Sequence, residues 1–394
     1  MPQTTDIVVA GGGAIGASIA YHLCAAPGFS GRVTVLEPDP TYARAASALS
    51  AASIRQQFSS PVNIRASLFG IDFLRRAGDI LAVDGERPEI GLREGGYLFL
   101  ATAAGRTVLA ENHAVQTEMG ADIALFDAGG VGQRFPWLST DGIAAASWGR
   151  SGEGWFDGYS LLQAFRKKAR ALGAEFRKAA VVALDMVGST CRGVVLEDGT
   201  TLACGQVAIA AGTGARALVR QTGFDIPVDA KKRMIFTFNC RENLMDFPLL
   251  IDPTGVYCRP EGTGYLCGSA PPADADPDAD GDFEVDYRFF DDHVWPVLAA
   301  RVPAFEAIKR GRAWAGHYDM NSFDHNALVG AVPGTSNVWL ANGFSGHGLQ
   351  QSPAVGNYLA ELICGKTAAT AIDLGDLAPK RLVEMRPLVE KNVV

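Results

Sequence analysis

Residues 6–16, DIVVAGGGAIG, constrain the fold more than any other stretch of the chain. Ile7 to Ala10 are consecutive apolar residues, the pattern of a strand buried on both faces. Gly11, Gly13 and Gly16 then complete G-x-G-x-x-G. From Ala14 to Cys24 the apolar residues Ile15, Ile19 and Leu23 fall at helical spacing. Strand, glycine turn and helix in that order make a dinucleotide-binding βα turn. The first glycine permits the tight turn, the second lets a pyrophosphate approach the backbone, and the third lets helix and strand pack closely. The helix N-terminus offers free N–H groups and partial positive charge to the phosphates. A second apolar strand, Val33 to Leu36, ends in Glu37, about 20 residues past the last glycine, where a carboxylate accepts a ribose hydroxyl. An adenine dinucleotide is the expected ligand. A glycine-rich turn with no ligand is the alternative.

The remaining composition mainly excludes. A chain of 394 residues that is 48% hydrophobic and 20% charged can bury a core or two. Its net charge of -8 argues against nucleic acid or an anionic membrane as the main partner. Seven scattered cysteines without a CxxC pair fit neither a zinc site nor a disulfide framework, so free thiols and no metal are expected. No apolar run reaches the length of a membrane span. The first strand begins within six residues, which leaves no room for a leader, and the cytoplasm is the expected location.

Small residues crowd Ala45 to Ser53, where backbone can lie close to a cofactor and Ser47 and Ser50 can donate hydroxyls. Arg55, Gln56 and Gln57 follow. Pro61 to Ala77 reads as a helix with Ile64, Leu68, Ile71 and Leu74 inward and its polar residues solvated. Gly91 to Leu100 reads as a strand, Ala103 to Gly120 as a helix, and Val131 to Leu138 as a short helix and turn. Ser160 is the expected N-cap of a helix that stops at Gly173. Ala179 to Met186, a hairpin at Gly188, and Val207 to Ala211 are strands, the last ending in Gly212-Thr213-Gly214 before a helix. Ile226 to Gly268 is strand-rich and suggests an antiparallel sheet. Residues 271–281, PPADADPDADG, read as a solvated loop. Asp276, Asp278, Asp280 and Gly281 only mimic a calcium loop, because Tyr287 stands where a bidentate glutamate is needed. Phe289 to Ala300 is helical, and Trp314 to Asn326 is polar and aromatic. Val338 to Ala341 is a strand leading to GFSGHGLQQ, with Ser352 and Pro353 as the expected N-cap and first residue of a helix that ends at Gly365.

The chain thus carries a second glycine-rich strand-to-helix turn, far from the first in sequence. A helix dipole there would favour an anionic reduced flavin ring, which suggests FAD held between the first and last segments. The strings VVAGGGAIGASIAYHL, VLEPD, VAIAAGTGA and GFSGHGLQQSPAVG resemble the D-amino-acid oxidase / sarcosine oxidase (DAO) family of FAD-dependent oxidoreductases over nearly the full length. SIRQQFSSPVNI, VWPVLAARVPAFE, WAGHYDMNSFDHNALVG and the closing KNVV resemble one branch of that family more closely.

The resemblance implies an α/β plus α+β fold: a glutathione-reductase-like, Rossmann-type FAD-binding domain (1–90, 150–224 and 325–394) and a discontinuous mixed-sheet substrate domain (91–149 and 225–324). It implies that Gly11, Gly13, Ala14, Ile15 and Gly16 hold the pyrophosphate and that Glu37 and Pro38 meet the adenosine ribose. Arg44, Ala45, Ser47 and Ser50 would run beside phosphates and ring, with Gly212 nearby. Val182 would meet adenine through its backbone. Gly343, Phe344, Gly346, His347, Gly348, Leu349 and Gln350 would wrap the isoalloxazine. Arg55 matches an arginine that binds substrate carboxylate, a task suited to a planar bidentate fork; a surface arginine is the alternative. Tyr257 and Tyr318 match tyrosines lining the substrate cavity, against ordinary aromatic packing. His347 is either a site residue or a structural one. Gln350 replaces a carboxylate-binding lysine, which weakens the case for sarcosine itself. Arg233 is a lesser carboxylate candidate, with a solvated strand start as its alternative. Gly316 stands where sarcosine oxidases carry a flavin-linked cysteine, implying non-covalent FAD. The oxygen-activating lysine of sarcosine oxidases falls near Leu266 of this sequence, a departure that opens the acceptor to a quinone or carrier protein as well as oxygen.

The expected activity is FAD-dependent oxidation of the C–N bond of an amino acid or N-substituted amino acid, giving an imine that hydrolyses. The rivals are a flavin-holding assembly factor for a respiratory complex and a NAD-dependent dehydrogenase.

Overall fold

The structure is a computed structural model that describes residues 4–279, 281–366 and 371–391. Asp280 of the calcium-like motif and Asn392, Val393 and Val394 of the closing KNVV lie outside the described residues. Two eight-stranded sheets organise the molecule.

The first sheet is built around β1 (Thr4–Ala10), which pairs in parallel with β2 (Val33–Glu37) on one side and β11 (Thr201–Ile209) on the other. Beyond β2 lies β8 (Glu175–Lys178), a strand that the sequence pattern did not reveal. Beyond β11 lie β18 (Val338–Asn342) and β17 (Leu328–Ala331), while the hairpin of β9 (Val181–Val187) and β10 (Thr190–Leu196) joins β11 from the side. The helices Ala14–Ala25, Pro61–Arg75, Gly158–Ala171 and Gly348–Ile363 share one core, in which Ile19, Leu74, Phe165 and Leu359 are buried.

The second sheet runs β16 (Ile308–Asn321), β12 (Val228–Cys240), β15 (Gly264–Ser269), β14 (Tyr257–Glu261), β13 (Leu249–Ile251), β4 (Tyr97–Ala101), β6 (Ala145–Gly149), β5 (Ile123–Asp127). It is mixed, because β13 and β4 are parallel. One face packs Phe236 and Phe238 against Phe290, Leu298 and Phe305 of the segment after β15. Alternation along each strand sends the opposite set, including Tyr257, Arg233 and Tyr318, towards the first sheet. A short ribbon of β3 (Ser53–Ile54) and β7 (Gly154–Trp155) lies beside the site.

Several local expectations change. The Gly158–Ala171 helix is capped by Asp157, whose carboxylate accepts from the Ser160 backbone and hydroxyl. The Asp side chain reaches the first-turn N–H groups from outside the helix, whereas Ser160 is already inside it. The last long helix begins at Gly348 rather than after Ser352, so Pro353 sits inside it. Proline leaves the Leu349 carbonyl without its helical donor, and the Ser352 hydroxyl donates to it at 2.8 Å instead. Asn63 and Ser67 of the Pro61–Arg75 helix are buried rather than solvated. Trp314 to Asn321 belong to β16, and the strand expected from Gly91 begins only at Tyr97.

Candidate functional site

A cavity of about 540 Å³ opens at the carboxyl ends of β1, β2 and β11. Both glycine turns line it: Gly11, Gly13, Ala14 and Ile15 from one, Phe344, Gly346, Gly348 and Leu349 from the other. The first turn is a cradle in which Gly11 and Gly16 have no room for a side chain. A Cβ on Gly11 would meet the Ala210 carbonyl oxygen at 2.3 Å, and one on Gly16 would meet that of Gly11 at 1.9 Å. Gly16 therefore serves packing rather than the lining. Both helices that start at the cavity lack a side-chain cap, at Gly13 and at His347. Apart from the Ala14 N–H, which donates to the Ser47 hydroxyl, their first-turn N–H groups are left for an anion or a polarised carbonyl.

Glu37 accepts from the backbone of Gly12 (2.8 Å) and Asp39 (2.9 Å) at the rim, and burial pushes its carboxyl above the usual range. Pro38, Arg44, Ala45, Ser47, Ser50 and Gly212 also line the cavity, and the Ser47 hydroxyl accepts from the Ala14 N–H at 3.0 Å. Val182 does not line it: its side chain is half exposed, and Ala180 and Val181 take its place. The elongated lining, the rim carboxylate and the two bare helix ends fit a dinucleotide. None of the seven cysteines lines the cavity. Among the described residues no His/Cys/Asp/Glu cluster could hold a metal, and no helix is long and apolar enough to cross a membrane.

Beside the cavity, three of the expected residues converge. The Arg55 backbone N–H donates to Gln350 Oε1 at 2.9 Å, and Arg55 Nη2 lies 3.1 Å from His347 Nε2. Arg55 is 5% exposed, which excludes the surface alternative. Its guanidinium lies over Phe58 and Phe99, 4.7 and 5.4 Å from their ring centroids, and its Nε has no partner. Burial, with the Arg55 charge beside it, pushes His347 down to about 3. The neutral ring therefore presents its Nε2 lone pair to Arg55 and orients the fork. Tyr318 lines the cavity, whereas Arg55, Tyr257, His347, Gln350 and Gly343 lie outside the lining. Burial raises the phenols of both Tyr257 and Tyr318, so both stay protonated. The ring of Tyr257 reaches across Gly268, where a Cβ would come within 2.6 Å of its hydroxyl.

Two buried acids escaped the sequence reading. Glu153 accepts from the backbone of Gln56 and Gln57 and from the Gln57 side chain, directly behind Arg55. Burial pushes it up to about 7, and the Arg55 charge opposes that rise. Asp319 lines the cavity and accepts from the Gly343 N–H (2.8 Å), the Phe344 N–H (3.2 Å) and the Asn342 side chain (3.1 Å). Burial pushes its carboxyl up to about 6. The aromatic-polar run WAGHYDMN was the one available signal for Asp319. Nothing local marked Glu153.

The acidic loop is also not simply solvated. Arg233 holds Asp276 through two hydrogen bonds of 2.8 and 2.9 Å, and Lys231 pairs with Asp278 at 2.9 Å. Farther along, Phe283 lines the cavity and stacks on His317, with centroids 4.1 Å apart. Arg233 is thus a mid-strand residue in a largely shielded ion pair, not a solvated strand start.

Comparison with known proteins bears on this arrangement. The family model described as "FAD dependent oxidoreductase" (DAO) matches residues 6–362. FAD-dependent oxidoreductase domain-containing protein 1 of Xenopus laevis is 40% identical over 430 residues, covering 100% of this chain and 85% of that protein. Among solved structures, L-proline dehydrogenase from P. horikoshii superposes with a TM-score of 0.85 at 24% identity, covering 98% of this chain and 100% of the other. Glycine oxidase from Geobacillus kaustophilus does so with a TM-score of 0.81 at 23% identity, covering 95% and 98%. The match spans both glycine turns and nearly all of both sheets, and the chain belongs to the DAO family of FAD-dependent oxidoreductases, with FAD as its cofactor.

Proposed function

We propose that this oxidoreductase acts on the C–N bond of an amino acid or N-substituted amino acid, yielding an imine that water hydrolyses. The observation that carries this reading is Arg55: a buried guanidinium with no carboxylate partner, held by His347 and Gln350 beside the cavity. Such a group costs free energy to bury alone, and a substrate carboxylate repays it. In the reaction the bound FAD supplies the hydride acceptor. Arg55 anchors the carboxylate. His347 and Gln350 hold Arg55 in register, and Glu153 fixes the Gln56-Gln57 backbone behind it. Tyr257 and Tyr318 offer hydroxyls to a polar substrate group. Positioning supplies much of the rate, and an amine that arrives deprotonated needs no strong base.

The FAD is held non-covalently on this reading, since Gly316 has no nucleophile. The second sheet, with the boundaries given above, is the substrate-binding unit. Leu266, buried and apolar, favours a quinone or carrier protein over oxygen as acceptor. A screen of D- and L-amino acids and N-alkyl glycines, with oxygen and a dye compared as acceptors, tests the reaction. Arg55→Ala should raise KM for carboxylate substrates roughly 100-fold, as expected for loss of a charge-assisted bidentate contact, and FAD should stay bound. An unchanged KM removes Arg55 from this role.

A further inference from the structure

We infer that this site admits a substrate with one carboxylate and turns away a dicarboxylate, and that Arg233, masked by Asp276, sets the limit. The inference rests on the reaction proposed above.

Three arginines stand on or beside the face of the second sheet that looks towards the cavity. Arg259 on β14 is committed to structure: its Nε and Nη2 donate to the Ala51 carbonyl at 3.2 and 2.6 Å, and Nη1 pairs with Glu261. Arg233 on β12 pairs in register with Gly316 on β16. Its guanidinium carbon is 5.5 Å from the ring centroid of Tyr318, which lines the cavity. Arg233 is therefore a neighbour of the substrate position, and an unmasked guanidinium there would be a second carboxylate receptor.

It is not unmasked. Arg233 Nη1 and Nη2 donate to the two oxygens of Asp276, and the side chains are only 11% and 16% exposed. A bidentate pair both neutralises the charge and occupies the fork. Asp276 is held in turn, because Lys231 Nζ donates to its carbonyl at 2.6 Å. The acidic loop thus brings a fixed negative charge to this second guanidinium. Of the three arginines only Arg55 lacks a carboxylate or carbonyl partner. The site balances one negative charge. A second substrate carboxylate would lie unpaired in a buried site or against Asp276, and either arrangement disfavours it.

The test uses the FAD-loaded protein. Flavin absorbance is titrated with acetate and with malonate, and anaerobic flavin reduction is followed with N-methylglycine and with iminodiacetate. The wild type should prefer acetate to malonate by about tenfold or more, the discrimination expected when one unpaired charge is buried. Asp276→Asn should shift that ratio towards malonate by about tenfold, since it unmasks Arg233. The added change Arg233→Ala should reverse the shift. Lys231→Ala loosens the same loop with Arg233 still paired, and should leave the ratio where it was. Equal binding of both anions by the wild type, no shift in Asp276→Asn, or the same shift in Lys231→Ala would each overturn the inference. If neither amine reduces the flavin in any variant, the proposed reaction fails, and the acetate-to-malonate ratio still decides this point.

Discussion

At the first glycine turn, Gly11 to Gly16, close backbone packing sets the geometry, with the Glu37 and Ser47 side chains accepting from the Gly12 and Ala14 N–H groups. Gly11 has φ +101°, its N–H is bonded to the Leu36 carbonyl, and the helix begins with no side-chain cap. At the second turn, Gly343 to Gly348, the geometry is imposed from outside. Gly343 and Gly346 have φ of +69° and +92°, and Ser345 sits between them at +51°, a strained value for a residue with a Cβ. Asp319 of the other sheet accepts the Gly343 and Phe344 N–H groups, and the Ser345 hydroxyl accepts the Asn321 N–H. The first turn belongs to one sheet. The second exists where two sheets meet, so it reports on their docking as well as on the cofactor.

The largest effect should come from Gly16→Ala, which drives a Cβ into the Gly11 carbonyl. Loss of several kcal/mol is expected, of order 3 or more, with loss of bound FAD on purification; normal flavin content would contradict a backbone-built first turn. Next, Asp319→Ala strands the Gly343 and Phe344 donors, a cost of about 2 kcal/mol. The FAD dissociation constant should rise roughly 30-fold by the same conversion, with the first turn intact. An unchanged constant would mean that the second turn holds itself.

A pH series sharpens the contrast. Burial places the Asp319 carboxyl at about 6 against an ordinary 3.8. Between those values the folded chain keeps a proton that the unfolded chain has released, so stability falls as pH rises through the window. Asp319→Asn should flatten that slope in thermal unfolding, and a persistent slope would assign it to another buried acid such as Glu153. The smallest effect is expected from Ser352→Ala, which removes the donor compensating for Pro353. Stability should drop by about 1 kcal/mol with FAD affinity unchanged; a matching fall in affinity would tie the helix start to the proline.

Legibility follows the same division. The first turn, β1, β2 and the helix between them could be read from residues 6–37, because the β1–β2 ladder, the Gly11–Leu36 hydrogen bond and the close approach of Gly16 to Gly11 all lie within that stretch. Elsewhere the strands were legible more often than their partners: the existence of β8, the parallel β4–β13 pair and the reach of β16 depend on which segments meet. Ser160 and Ser352 misled because a serine suits both a cap and a helix interior beside one. Arg55, Tyr257, Tyr318 and His347 were reached through resemblance. Spacing could not have joined Arg55 to Gln350, which lie 295 positions apart.

By itself, then, the sequence determined the dinucleotide turn, because glycines at fixed offsets between an apolar strand and a helix mark backbone that must pass close to other backbone, as at Gly11 and Gly16. Only the tertiary structure decided that Arg55 is buried and unpaired, that Asp276 neutralises Arg233, and that Asp319 pins the second turn. Charge balance in a site of low dielectric depends on which groups are brought within a few ångströms of one another, and chain order does not encode that distance.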